Sequence, residues 1–147
     1  MEVFGSSVLV LPYTPSSVGV ARRRLLSDLG RAGVCDGTTS DAGLVLSELI
    51  SNALRHASPL PGHTLKASWR LGSGRVEIAV TDGGGSTVPA VTEPVGWALG
   101  GRGLGIVDRL CLRWAVREAD GETTVWAELP LRYGDTGSLV AASALDA

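Results

Sequence analysis

Glu48-Leu49-Ile50-Ser51-Asn52-Ala53-Leu54-Arg55-His56-Ala57 gathers a carboxylate, a carboxamide, a guanidinium and an imidazole on one stretch of helical character. Residues four apart on an α-helix lie one above the other, so Glu48 and Asn52 share a face and His56 continues it one turn further. Leu46, Leu49, Ile50 and Ala53 fill the opposite side, which sets the polar column along the edge of a core. A carboxamide oxygen is a hard ligand suited to Mg2+, an ion that keeps several waters and completes its shell with substrate phosphates. One turn earlier, Glu48 is placed to polarise a water or hydroxyl attacking a terminal phosphate. Arg55 or His56 can orient or neutralise phosphate. The column suits a site that binds a metal and activates a hydroxyl.

Two further segments gain meaning beside it. Asp82-Gly83-Gly84-Gly85 ends a strand-like run. Alone it reads equally well as an ordinary turn, but Asp82 can accept a hydrogen bond from a ligand amino group. The glycines would let backbone approach a flat ring. Gly101-Arg102-Gly103-Leu104-Gly105-Ile106-Val107 opens a helix after a loop. Backbone N–H groups and the helix dipole favour phosphate at such a start, and Arg102 adds a cation able to make bidentate contacts. Two common phosphate motifs are excluded. A dinucleotide fingerprint needs glycine where Ile106 stands, and no G-x-x-x-x-G-K-[ST] exists, Lys66 being the only lysine.

These side chains need elements to hold them. Residues 7–11 form a short apolar run closed by Pro12, plausible as a first strand. Thr14 or Ser16 can cap a helix opening around Pro15. Val20, Leu25, Leu26 and Leu29 give that helix an apolar stripe ending near Gly30 or Gly33. Arg22-Arg23-Arg24 fan around it as a solvated face. The second helix starts in Thr38-Thr39-Ser40-Asp41 and runs to about Ala57, where Ser58-Pro59-Leu60-Pro61-Gly62 breaks it. Two strand-like runs follow, 64–71 and 75–81, joined by Gly72-Ser73-Gly74. Six glycines and two prolines between Asp82 and Arg102 then mark a long loop, which in a small domain reads as a lid or binding loop. Residues 104–110 read as a short helix. Residues 112–117 and 123–129 read as two more strands, linked through Glu118-Ala119-Asp120-Gly121. After Arg132 the chain is small and polar, then Ala-rich, as in a tail.

A length of 147 residues suits one domain that can bury its own core. Hydrophobic residues at 44% and charged residues at 19% place the chain among globular proteins. A net charge of -2 offers no basic footprint for nucleic acid. Cys35 and Cys111 lie far apart with no metal-binding spacing, so they read as small buried hydrophobes in a reducing cytosol. No signal-peptide pattern opens the chain. No apolar run approaches the roughly 20 residues of a membrane span. The expectation is a cytoplasmic protein without direct nucleic-acid or membrane partners.

On these residues the chain resembles the GHKL (Bergerat-fold) ATP-binding superfamily, over about residues 12–130. The 48–57 segment resembles the N box, Asp82 to Gly85 the first glycine box, and Gly101 to Val107 the second. Thr124, ahead of Val125-Trp126-Ala127-Glu128-Leu129, resembles the last-strand threonine that helps hold adenine. The first glycine box often reads D-x-G-x-G in the family; here its last position is Ser86. The resemblance implies an α/β fold of the α+β two-layer type, with a mixed, mostly antiparallel sheet, helices on one face and an ATP lid. It implies one ATP-binding domain over residues 1–132 and a tail over 133–147. It also implies ATP and Mg2+ as cofactors, with Glu48 as general base and Asn52 as Mg2+ ligand. Asp82 would accept the adenine amino group, supported by Gly84. Arg55 and His56 would face phosphate, and Gly101, Arg102, Gly103, Leu104 and Gly105 would cover it.

Within the superfamily, the short chain is most similar to anti-sigma-factor serine/threonine kinases of bacterial partner-switching systems. That implies an anti-sigma-factor antagonist as substrate, a sigma factor as competing partner, and a homodimer. A rival expectation is an ATP-binding regulatory module without phosphotransfer, acting through lid order; the presence of Glu48 argues against it. A second rival, an interaction domain without nucleotide, conflicts with Asp82, Asn52 and the G-R-G-L turn standing together.

Overall fold

Period-two alternation of apolar side chains produces β1 (Val3–Pro12), β2 (Thr64–Gly72), β3 (Arg75–Asp82), β4 (Arg113–Ala119) and β5 (Glu122–Pro130). Three helices accompany them: α1 (Ser16–Arg31), α2 (Asp36–His56) and α3 (Leu104–Leu110). This computed structural model describes residues 3–85 and 104–134, and every count here refers to those residues. The strands form one sheet in the order β1-β2-β3-β5-β4. All of its pairings are antiparallel, so the sheet expected to be mostly antiparallel is antiparallel throughout the described residues. The fold is α+β, with helices stacked against a single open sheet.

The core lies between the two layers. Leu65, Ala67 and Trp69 of β2, Val76, Ile78 and Val80 of β3, and Val125, Ala127 and Leu129 of β5 are buried against the helices. Helix α2 supplies Val45, Leu46, Leu49, Ile50 and Ala53 to the same core, as the apolar side of the 48–57 segment demands. Helix α1 buries Ser17, Ala21, Leu25 and Leu29, a four-residue spacing. Val20, expected in that stripe, is 45% exposed, because Ala21 occupies the inward position. Arg22, Arg23 and Arg24 are exposed.

Polar ties fix the layers. Asp28 of α1 accepts hydrogen bonds from Ser7 Oγ at 2.8 Å and Trp69 Nε1 at 2.9 Å, and pairs with Arg31 and Arg24. Burial works to raise the Asp28 pKa, but these partners outweigh it and hold the carboxyl below its ordinary value. Helix α2 begins at Asp36 rather than near Thr38, because Cys35 caps it: its sulfur accepts the Thr38 N–H at 3.4 Å. Both cysteines are half-buried, so the expectation of fully buried hydrophobes is corrected, and Cys35 has a capping role. Burial first, then the charges of Asp108 and Asp41, push the Cys111 thiol up to about 12. It is protonated and unreactive at neutral pH.

Both hairpins are tight. Gly72 pairs with Arg75 across Ser73-Gly74, and the β4–β5 turn places Asp120 and Gly121 at φ 54° and 78°, the geometry that asks for Asp-Gly. Beyond Arg132, Tyr133 bridges to Val34 and the Gly134 N–H donates to the Gly33 carbonyl at 3.4 Å. Tyr133 and Gly134, the first two residues of the expected tail, thus contact the α1–α2 connection. No helix among the described residues is long and apolar enough to cross a membrane.

Candidate functional site

Helix α2 carries the polar column where the sequence places it. Asn52 is 2% exposed and its Oδ1 has no hydrogen-bond partner among the described residues. An unpartnered buried acceptor costs about 1–3 kcal/mol, so its retention points to a ligand. Glu48, one turn earlier, is half-buried; His56 is half-buried and Arg55 exposed. The column thus grades from a buried amide to a solvated guanidinium along one helix face.

Strand β3 delivers Asp82 from the layer below. Its side chain is 3% exposed, and Oδ1 accepts the Gly84 N–H at 2.7 Å. Burial pushes its pKa up to about 6 against that hydrogen bond. Among the described residues no cation pairs with this carboxylate, and a ligand amino group would supply a partner for its charge.

The glycines around Asp82 serve the chain's own backbone. A Cβ on Gly83 would stand 2.1 Å from the Pro59 carbonyl oxygen. Gly83 N–H donates to the Ser58 carbonyl at 2.8 Å, and Ser58 N–H donates to the Gly84 carbonyl at 2.6 Å. Gly84 adopts φ +80°, a conformation that glycine takes without strain. Gly85 packs beside Ala57 and the His56 carbonyl. Where the sequence suggests glycines approaching a ligand ring, Gly83 meets the exit loop of α2.

Thr124 and Asp82 lie on opposite faces of the sheet. In the β3–β5 register Thr124 pairs with Thr81, their hydroxyls 2.8 Å apart. Asp82 pairs with Thr123, which is 4% exposed. Directly paired residues in an antiparallel ladder project to the same face, so Thr123 is the threonine beside Asp82. Its Oγ1 would lie 3.6 Å from a Cβ on Gly84. Sequence reading missed Thr123 because two adjacent threonines are distinguished only by strand register. It also missed Tyr13, whose hydroxyl reaches the end of α2.

Leu104 opens α3 as a fully buried core residue, and Gly105 follows half-buried. Gly101, Arg102 and Gly103, with the expected lid, lie outside the described residues. A cavity of about 400 Å³ adjoins the turn, lined by Gly83, Gly84, Gly85, Thr123 and the Glu118–Glu122 hairpin residues. A second cavity of about 400 Å³, beside Phe4, Arg24, Asp28 and Tyr133, includes none of the expected site residues.

No cluster of three or more His, Cys, Asp or Glu able to hold a metal occurs among the described residues. Asn52 Oδ1 is a buried oxygen acceptor, of the hard type that Mg2+ takes, without a partner among the described residues. Asn52→Ala is expected to abolish the Mg2+-dependent gain in nucleotide affinity. It should change the stability of the nucleotide-free chain by about 1 kcal/mol or less, since relief of the unpartnered oxygen opposes the void that the smaller side chain leaves. Titrations with and without Mg2+, beside a denaturation curve, check both halves.

The antiparallel sheet thus ends β3 in a buried aspartate, and the helix packed on β3 carries a buried carboxamide oxygen with no partner among the described residues. The histidine kinase-like ATPase domain family matches residues 11–129, and the chain belongs to that family. Among solved structures it is similar to the crystal structure of the RsbU and RsbW domains of Rv1364c from Mycobacterium tuberculosis. That likeness has a TM-score of 0.67 at 20% identity and covers 88% of this chain. This chain spans 34% of that one, about a third of its length. The Acinetobacter baumannii histidine kinase AdeS is also similar, at 16% identity over 85% of this chain and 68% of that one, with a TM-score of 0.46. No curated protein matches the sequence.

Proposed function

We propose that this chain binds ATP with Mg2+ and acts as a serine/threonine kinase of a bacterial partner-switching system. Its substrate would be a hydroxyl on an anti-sigma-factor antagonist, and a sigma factor would be its competing partner. The observation that carries this reading is Asn52 Oδ1, buried without a partner among the described residues on the helix packed against β3, the strand that ends in the buried carboxylate of Asp82, in an ATPase-family fold. The fold likeness to a structure that contains an RsbW domain supports the branch chosen within the family.

In this reading Asp82 and Thr123 recognise the base, and Asn52 would hold Mg2+, which would supply charge neutralisation at the phosphate oxygens. Glu48 stands one turn of α2 before Asn52 and takes the proton of the attacking hydroxyl. Arg55 and His56 follow Asn52 by three and four residues on α2 and would orient or neutralise phosphate.

Glu48→Ala is expected to leave ATP affinity unchanged and to lower phosphotransfer by about 100-fold or more. The experiment supplies γ-labelled ATP with purified antagonist domains and follows label on serine or threonine. Unchanged transfer would remove Glu48 as the base. ATP binding without transfer to any antagonist by the wild type would favour a module that works through nucleotide occupancy alone.

A further inference from the structure

We propose that Tyr13 is a positioning residue for base selection: its hydroxyl anchors the end of α2 so that Asp82 is held in register to recognise an amino-bearing purine. The inference rests on the nucleotide reading above.

Tyr13 lies in the β1–α1 connection, outside every segment assigned to nucleotide by resemblance. Its hydroxyl lies 2.6 Å from each of the carbonyls of Ala53 and Ala57, which share its single proton. Ala53 lies in the last turn of α2, where its carbonyl also accepts the Ala57 N–H, and Ala57 is the residue that caps the helix, its carbonyl beyond the helical ladder. The Tyr13 ring meets His63 edge-on with centroids 5.6 Å apart, and its N–H donates to the His63 carbonyl at 2.9 Å. Ring and backbone are therefore both fixed, and the hydroxyl is aimed.

From Ala57 the chain passes directly to Ser58. Ser58 N–H donates to the Gly84 carbonyl, and the Ser58 carbonyl accepts the Gly83 N–H. Gly84 N–H then donates to Asp82 Oδ1. Hydrogen bonds and one peptide link, Ala57 to Ser58, thus join the Tyr13 hydroxyl to the turn that carries the Asp82 carboxylate. Burial first, and the Asp82 charge second, raise the Tyr13 pKa, so the phenol remains a donor at physiological pH. Without the hydroxyl, the last turn of α2 frays and Ser58 no longer fixes the glycine turn. Asp82 then loses its orientation while the strand beneath it stays paired.

The test compares ATP with inosine triphosphate, which carries a carbonyl where ATP carries the amino group. Binding of both, with Mg2+, is measured on the wild-type chain and Tyr13→Phe. Amide hydrogen exchange at Ser58, Gly84 and the strand residue Ile78 is followed without nucleotide. The wild type is expected to prefer ATP by about tenfold or more, the worth of one charge-assisted hydrogen bond. In Tyr13→Phe the preference is expected to fall below about threefold. Exchange should quicken at Ser58 and Gly84 but not at Ile78, and the Mg2+ dependence carried by Asn52 should remain.

A merely structural Tyr13 would lower stability and leave base discrimination intact; that result, or unaltered exchange at Ser58 and Gly84, overturns the proposal. A wild type that binds neither nucleotide overturns the nucleotide reading itself, and the role of Tyr13 with it. Should Tyr13→Phe lose protection at Ile78 as well, His63→Ala replaces it, loosening the ring while keeping the hydroxyl. The same discrimination and exchange criteria then decide.

Discussion

Asp82→Asn is expected to abolish ATP binding and, at pH 7, to stabilise the nucleotide-free protein. The two effects share one cause. The aspartate is buried and its pKa stands at about 6 against an ordinary 3.8, so the folded chain holds the proton more tightly than the unfolded chain. For a raised pKa, the favourable contribution is complete below the unfolded value and is lost as pH rises through the folded one. At neutral pH the ionised carboxylate therefore destabilises the apo fold, by up to about 3 kcal/mol. Asparagine removes that charge and keeps an oxygen for the Gly84 N–H. Wild type and variant should melt together near pH 4 and diverge between about pH 4 and pH 6, with the variant higher by roughly 5–10 °C at pH 7.

ATP binding should show the converse dependence. If the amino group of the base needs an ionised Asp82, wild-type affinity falls about tenfold per pH unit below 6. Titration of inorganic triphosphate over the same range subtracts the phosphates' own protonation. Equal melting curves at all pH values would mean that the carboxylate is not perturbed by burial. Unchanged ATP affinity in the variant would remove Asp82 from the site.

Gly83→Ala is expected to be the most destabilising single methyl in the molecule's described part. The added carbon would lie 2.1 Å from the Pro59 oxygen, 2.8 Å from the Pro59 carbonyl carbon and 3.2 Å from the Ser58 oxygen. All three are backbone atoms, so no side chain can swing aside. The α2 exit loop must separate from the turn, breaking the paired hydrogen bonds between Ser58 and residues Gly83 and Gly84. Overpacking and two lost buried hydrogen bonds together suggest a cost of about 3–5 kcal/mol. Gly30→Ala is the control. Its Cβ would meet nothing within 4 Å inside a helix, where alanine is favoured over glycine by up to about 1 kcal/mol. Chemical denaturation of the two variants reads the difference; equal midpoints would contradict the close approach at Gly83.

Local chemistry was legible in the sequence. The 48–57 column, the glycine turn after Asp82, the short helix at 104–110 and the hairpins at Ser73-Gly74 and Asp120-Gly121 each depend on neighbours within a few residues. Helical periodicity, turn propensity and strand alternation act over that range, so one-dimensional reading reaches them. It also located the buried face of α2, because the pattern that makes an amphipathic helix is the pattern that buries it.

What depended on distant chain segments was decided only in three dimensions. Asp82 faces Thr123 and not Thr124 because of the β3–β5 register, and a slip of one residue reverses a strand's faces. The first glycine at the turn answers to Pro59, more than twenty positions earlier, through a close backbone approach that no local pattern encodes. Cys35 caps α2 through the geometry of its own turn and is only half-buried. Tyr13 matters because the β1–α1 connection passes over the end of α2. The sequence determined which residues can do chemistry and which elements carry them; tertiary packing decided which faced each other, since burial, register and backbone contact arise only when separate elements meet.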